Sequence, residues 1–72
     1  MMNYQTLARS AVSQAFAAPE TWYGSDSHDE QVCFANDVYT VGSNGDAQDF
    51  DTADGAASAL AHQWQEEDRK RL

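Results

Sequence analysis

Cationic residues are what this sequence has least of. Its 72 residues include 4 Lys and Arg against 12 Asp and Glu, a formal net charge of −8. Arg9 is the one cation near the start, and Arg69, Lys70 and Arg71 stand near the end. From Glu20 to Asp68 there are twelve acids and no lysine or arginine. Like charges without counterions among them repel and weaken the compact state, so the pattern suits a binding surface better than a scaffold. Such a field repels nucleic acid and anionic membranes and steers toward cationic surfaces, so neither nucleic acid nor a membrane is expected as a direct partner. A salt-adapted composition would produce the same count, and neighbouring genes would tell the two apart.

Cysteine is nearly absent as well. Cys33 stands alone, which excludes an intramolecular disulfide and a secreted disulfide scaffold, and places the chain by expectation in a reducing cytoplasm. No apolar run approaches bilayer-spanning length. The stretch Met1 to Gln5 has no basic region, so no secretory leader is expected. At this length one domain, residues 1 to 72, is expected, with no room for a sizeable enclosed pocket. Ordering costs roughly 1.5 kcal/mol per residue against roughly 25 cal/mol per Å² of apolar burial, which leaves room for a homodimer or a partner to supply part of the stability.

What is present is well punctuated. Asn3 can cap a helix over residues 3 to 17, in which Tyr4, Leu7, Ala8, Ala11, Val12, Ala15 and Phe16 form one apolar stripe. Pro19 ends it. Residues 20 to 30 lack a period and read as a loop, with Trp22 and Tyr23 expected to fold back onto the core. From Gln31 onward, valines and aromatics are broken by Asn36-Asp37 and Asn44-Gly45, both two-residue hairpin signals. Those turns set a register in which Phe34 faces Tyr39, Tyr39 faces Phe50, Val32 faces Val41, and Val41 faces Gln48. Cys33, Ala35, Val38, Thr40, Asp49 and Asp51 then fall on a second, solvated face. Asp51 or Thr52 can cap a last helix whose buried stripe is Ala53, Ala57, Leu60, Ala61 and Trp64. The expected fold is α+β, in the order α-β-β-β-α, with two helices packed on one face of a three-stranded antiparallel sheet.

Catalytic chemistry is hard to find in these residues. Cys33 lies mid-strand, away from any group that would activate it. His62 is expected at the edge of the buried stripe. The run Asp26 to Glu30 and the series Asp46, Asp49, Asp51, Asp54 lack the loop geometry and spacing of a cation site. No catalytic residue, metal or cofactor is therefore expected. What stands out is the carboxylates themselves: Asp46, Asp49, Asp51 and Asp54 run down the third strand into the last helix, and Asp26, Asp29, Glu30 and Asp37 come from the adjoining loop and turn. With Glu66 and Glu67 they are the candidate partner-binding residues. Carboxylates spaced so can imitate a row of phosphates, which nucleic-acid-binding proteins grip with Lys and Arg.

Over roughly residues 20 to 69 the chain resembles the small acidic phage anti-CRISPR proteins that mimic DNA against type I surveillance complexes, especially type I-F. The likeness lies in Trp22, the hairpin strand Asp37-Val38-Tyr39-Thr40-Val41, the junction Phe50, Asp51, Asp54, and the alanine helix ending in Trp64, Glu66 and Glu67. It implies binding to the Cascade subunits that hold duplex DNA beside the PAM, without catalysis. Open alternatives are an acidic inhibitor of another basic nucleic-acid-binding protein, such as a restriction enzyme, repressor or histone-like protein, and an antitoxin-like protein.

Overall fold

A computed structural model of the chain describes residues 3–43 and 46–71. The element order is α1 (Tyr4–Ala17), β1 (Tyr23–Gly24), β2 (Gln31–Ala35), β3 (Val38–Ser43), β4 (Asp46–Phe50) and α2 (Ala53–Lys70). The strands form one antiparallel sheet in the order β1-β2-β3-β4, and both helices pack on the face that carries Val32, Tyr39 and Val41. The α+β class and the helix placement are as expected, but the strand count is four rather than three.

The added strand comes from the segment read as a loop. After α1, Glu20 takes φ 68° and its N–H donates to the Phe34 carbonyl at 2.9 Å, which turns the chain back alongside β2. Tyr23 then pairs with Val32 and shares its inward face. Side chains alternate along an extended chain, so Trp22 falls on the other side. It is 48% exposed, not anchored in the core.

The β2–β3 hairpin turns on Asn36 and Asp37, with φ of 55° and 63°. Two left-handed residues are what a type I′ turn requires, and Asn and Asp tolerate that region well. The pairs Phe34↔Tyr39, Val32↔Val41, Tyr39↔Phe50 and Val41↔Gln48 all form as the turn chemistry predicts. The expected Asn44-Gly45 turn lies outside the described residues, though Ser43↔Asp46 brackets it. The outer face is less open than expected: Cys33 is buried, screened by the strands on either side of β2.

Asn3 caps α1, its side chain accepting the Thr6 N–H at 3.1 Å. The buried stripe of α1 is narrow, only Ala8, Ala11, Val12 and Ala15. Leu7 and Phe16 sit about 90° to either side of its centre at 3.6 residues per turn. They are 42% and 60% exposed, contrary to expectation. Thr52, not Asp51, caps α2 by accepting the Gly55 N–H at 3.1 Å. The α2 stripe is Ala56, Ala57, Leu60, Ala61 and Trp64, while Ala53 in the first turn is exposed. The helices thus meet through alanines and can approach closely, and the large fully buried side chains are Trp64, Leu60 and Val32.

Gly42 makes that sheet possible. A Cβ there would overlap the Asp46 carbonyl oxygen and stand 2.6 Å from the Ala47 Cα across the ladder. Gly42→Ala should therefore lose about 1 to 3 kcal/mol of stability in a urea melt, the usual range for overpacking. A melt equal to that of the parent protein would show that β4 can step aside.

Candidate functional site

Seven of the carboxylates singled out by sequence, Asp26, Asp29, Asp37, Asp46, Asp49, Asp51 and Asp54, are exposed. None of the seven has a cationic partner among the described residues, where every ion pair involves Glu66 or Asp68. Asp37 is carried by the β2–β3 turn and Asp54 by the first turn of α2, where its charge suits the positive end of the helix dipole. Asp49 lies opposite Thr40 and accepts its hydroxyl at 2.9 Å, on the face turned away from the helices.

Asp46 does not share that face. It stands an odd number of residues from Asp49, on the helix side with Gln48 and Phe50. There it lines a polar hollow of about 150 Å³ with Glu30, Val41, Gln48, Ala59 and Gln63. Two carboxylates and two amides give the hollow an oxygen-rich lining. Glu30 Oε2 is buried and has no hydrogen-bond partner among the described residues. A buried carboxylate oxygen left unpaired is expensive, and an incoming ammonium or guanidinium would satisfy it.

Glu66 and Glu67 serve the fold more directly. Glu66 pairs with Arg69, and stands 3.8 Å from His62, which is exposed on α2 and not at the edge of the buried stripe. Glu67 reaches across to the β1–β2 loop, accepting the backbone N–H of Asp29 at 2.8 Å and that of Glu30 at 3.3 Å. Both oxygens of Glu67 are thus engaged, and Asp29 is held in place by backbone rather than side chain.

Sequence reasoning missed the network beside them. His28 is buried, its ring stacked on Trp64 with centroids 5.3 Å apart. Its Nε2 is 2.9 Å from Asp68 Oδ1, and its Nδ1 is 3.0 Å from Ser25 Oγ. The Tyr4 hydroxyl donates to the other Asp68 oxygen at 2.5 Å. That hydrogen bond, with lesser help from His28 and Arg71, holds the Asp68 carboxyl below the ordinary carboxylate range, against a smaller opposing push from desolvation. The same bond, then burial and the Asp68 charge, raises the Tyr4 phenol. An ionised Asp68 can only accept, so Nε2 carries the proton in their hydrogen bond. Arg71 closes the loop from outside by donating to the Ser27 carbonyl at 2.6 Å.

The order hydroxyl, imidazole, carboxylate is that of a nucleophilic triad. Here the His28 side chain has 0% exposure and Ser25 Oγ also accepts the Ser27 N–H at 3.2 Å, an arrangement that clasps the loop onto α2. No sequence spacing announces it, because 40 residues separate His28 from Asp68 and 64 separate Tyr4 from Asp68. The one local signal is Ser25-x-x-His28, a turn closed by the His28 N–H on the Ser25 carbonyl. Among the described residues no three His, Cys, Asp or Glu gather as metal ligands.

The clasp gives stability a definite pH dependence. A carboxyl whose folded pKa is depressed stabilises above its unfolded value, and that contribution disappears as pH falls through the folded value. Asp68→Asn should therefore cost stability at neutral pH and converge on the parent protein in acid below the ordinary carboxylate range. Tyr4, raised on folding, acts at the other limb: its contribution is full below the ordinary phenol value and fades as pH rises through the folded one. Tyr4→Phe should flatten that alkaline limb. Urea melts across the pH range test both, and curves parallel to the parent protein would contradict the clasp.

No protein-family model, curated protein or solved structure matches the chain.

Proposed function

We propose that the protein is an acidic inhibitor that occupies the cationic nucleic-acid-binding surface of another protein and keeps nucleic acid out by mimicking it. The reading rests on one observation: seven exposed aspartates lack any cationic partner among the described residues. Charges left so repel one another in the free protein, and a lysine- and arginine-lined channel relieves that repulsion on binding.

The spacing is of the right order. The long axis is 37 Å, and a net charge of −8 along it is about one charge per 5 Å. One strand of DNA carries a phosphate about every 3.4 Å, so the density approaches that of one strand of a duplex, the strand that a duplex-holding surface meets. The polar hollow between Glu30 and Asp46 would take one of the partner's cationic side chains, while Asp49, Asp51 and Asp54 would face others.

Following the resemblance, the partner proposed is the positively charged surface of the type I Cascade subunits that hold duplex DNA beside the PAM. The action is binding alone, with no catalytic residue and no cofactor, in the cytoplasm of the bacterial host.

Competition binding tests this directly. Purified Cascade, preloaded with the protein, should fail to retain labelled target DNA, and the block should weaken steeply between about 50 and about 500 mM salt as the charges are screened. Reversing Asp49 and Asp54 together should cost about tenfold or more in inhibition while the protein stays folded, with a loss of stability no larger than about 1 kcal/mol from the Asp54 charge at the helix N-terminus and the Asp49 contact with Thr40. A complex that holds the protein and its DNA together through gel filtration would contradict mimicry. Capture of a different DNA-binding protein from a host lysate, with Cascade ignored, would keep the physics and replace the target.

A further inference from the structure

Among the described residues the large fully buried side chains are Trp64, Leu60 and Val32, and Phe16 is left 60% exposed. Phe16 is not isolated. Its ring packs at a tilt against Phe34, centroids 5.1 Å apart, and Phe34 in turn lies 4.6 Å from Tyr39. Beside this row a groove of about 340 Å³ opens between the last turns of α1 and the first turn of α2. Val12 and Phe16 form one wall, Ala57 the other and Tyr39 the floor, with Arg9 and Asp54 on the rim. The volume is at the low end for a ligand pocket, enough for one large side chain but not for a helix.

We infer that this groove receives an apolar, preferably aromatic, side chain projecting from the basic surface of the protein partner. The inference rests on the acidic-inhibitor reading and adds to it a non-ionic anchor. Charge selects the occupant. Asp54 on the rim has no cationic partner among the described residues and lies beside exposed Asp51, so a lysine or arginine next to the inserted side chain is complemented there. Across the groove Arg9 also has no ion-pair partner among the described residues, and it can take a backbone carbonyl of the same segment. A second copy of this chain is a poor occupant, since each carries a net charge of −8 and the two repel. Desolvated aromatic anchors ringed by polar contacts concentrate binding energy, whereas rim charges mainly steer the encounter. The groove therefore sets residence time and the aspartates set the rate of association.

The test uses three synthetic peptides titrated into the isotope-labelled protein: acetyl-Lys-Lys-Trp-Lys-Lys-amide, the same peptide with Gly for Trp, and acetyl-Glu-Glu-Trp-Glu-Glu-amide. The first should shift Val12, Phe16, Tyr39 and Ala57 resonances saturably and bind about tenfold tighter than the glycine peptide, a difference of about 1.4 kcal/mol. The acidic peptide should not bind. Ser13→Trp changes an exposed position and should melt like the parent protein, Phe16→Ser gives up its contact with Phe34 and should melt slightly earlier but cooperatively, and both should lose the tenfold advantage. Asp54→Asn should reduce it in part. Two basic peptides binding equally, with shifts confined to aspartates, would overturn the groove and leave the acidic reading intact. No binding by either basic peptide at low salt would overturn both. An acidic peptide binding as well as the basic one would overturn the charge selection. A free-protein dimer in sedimentation that Phe16→Ser dissolves would give the groove to a second copy and overturn the inference.

Discussion

Trp64 needs a hydrogen-bond acceptor, and much of the structure follows from where it finds one. Its indole is 1% exposed in a core otherwise built largely of alanine and valine. A buried N–H left unpaired would be costly, and the Glu30 carbonyl accepts it at 3.0 Å. That carbonyl belongs to the irregular segment between β1 and β2, so burying the tryptophan requires the segment to be held still. His28 stacks on the indole from that segment, Asp68 holds His28, Glu67 takes the N–H groups of Asp29 and Glu30, and Arg71 takes the Ser27 carbonyl. Acids near the C-terminus of a helix oppose its dipole. Here they are retained because the loop offers N–H donors that only acceptors at that place can satisfy.

The carboxylates therefore divide into two sets. Glu66, Glu67 and Asp68 are consumed by the fold, each with a named partner inside the chain. The seven aspartates on the loop, turn, edge strand and first helical turn have no cationic partner among the described residues and contribute repulsion instead. Some of them also blunt an exposed sheet edge. Strand β4 is a sheet edge, and the charges of Asp46 and Asp49 discourage another strand from pairing along it. An edge role for these two is compatible with the proposed function, in which all seven answer to an external cationic surface.

Local chemistry made the frame legible. Asn36-Asp37 specifies a left-handed two-residue turn, and one such turn determines which residues of β2 and β3 face each other; the alternation of Val32, Phe34, Tyr39 and Val41 then settles the buried face. Asn3 and Pro19 bracket α1 in the same local way. What failed was non-local. β1 is two residues long and exists only because Glu20 turns the chain onto β2, so Trp22 points outward when its apolarity alone argued for burial. The breadth of the α1 stripe was overestimated, because only a facing alanine helix narrows it and leaves Leu7 and Phe16 at its margins. The clasp joins Tyr4, His28 and Asp68 from three distant segments. Glu67 looked like one more surface acid, since nothing in sequence shows that two backbone N–H groups would be brought to it.

If the exposed aspartates answer to a partner and not to the fold, the free protein is folded against its own charge. Salt should then stabilise it. Urea unfolding followed by the fluorescence of buried Trp64, at sodium chloride rising from about 10 to about 500 mM, measures that directly as the Debye length contracts from about 30 Å to well under 10 Å. The account predicts a midpoint that climbs steadily with salt. A midpoint that falls would mean that these carboxylates stabilise the chain through attractive pairs of their own, and would contradict the claim that they are held for a cationic partner.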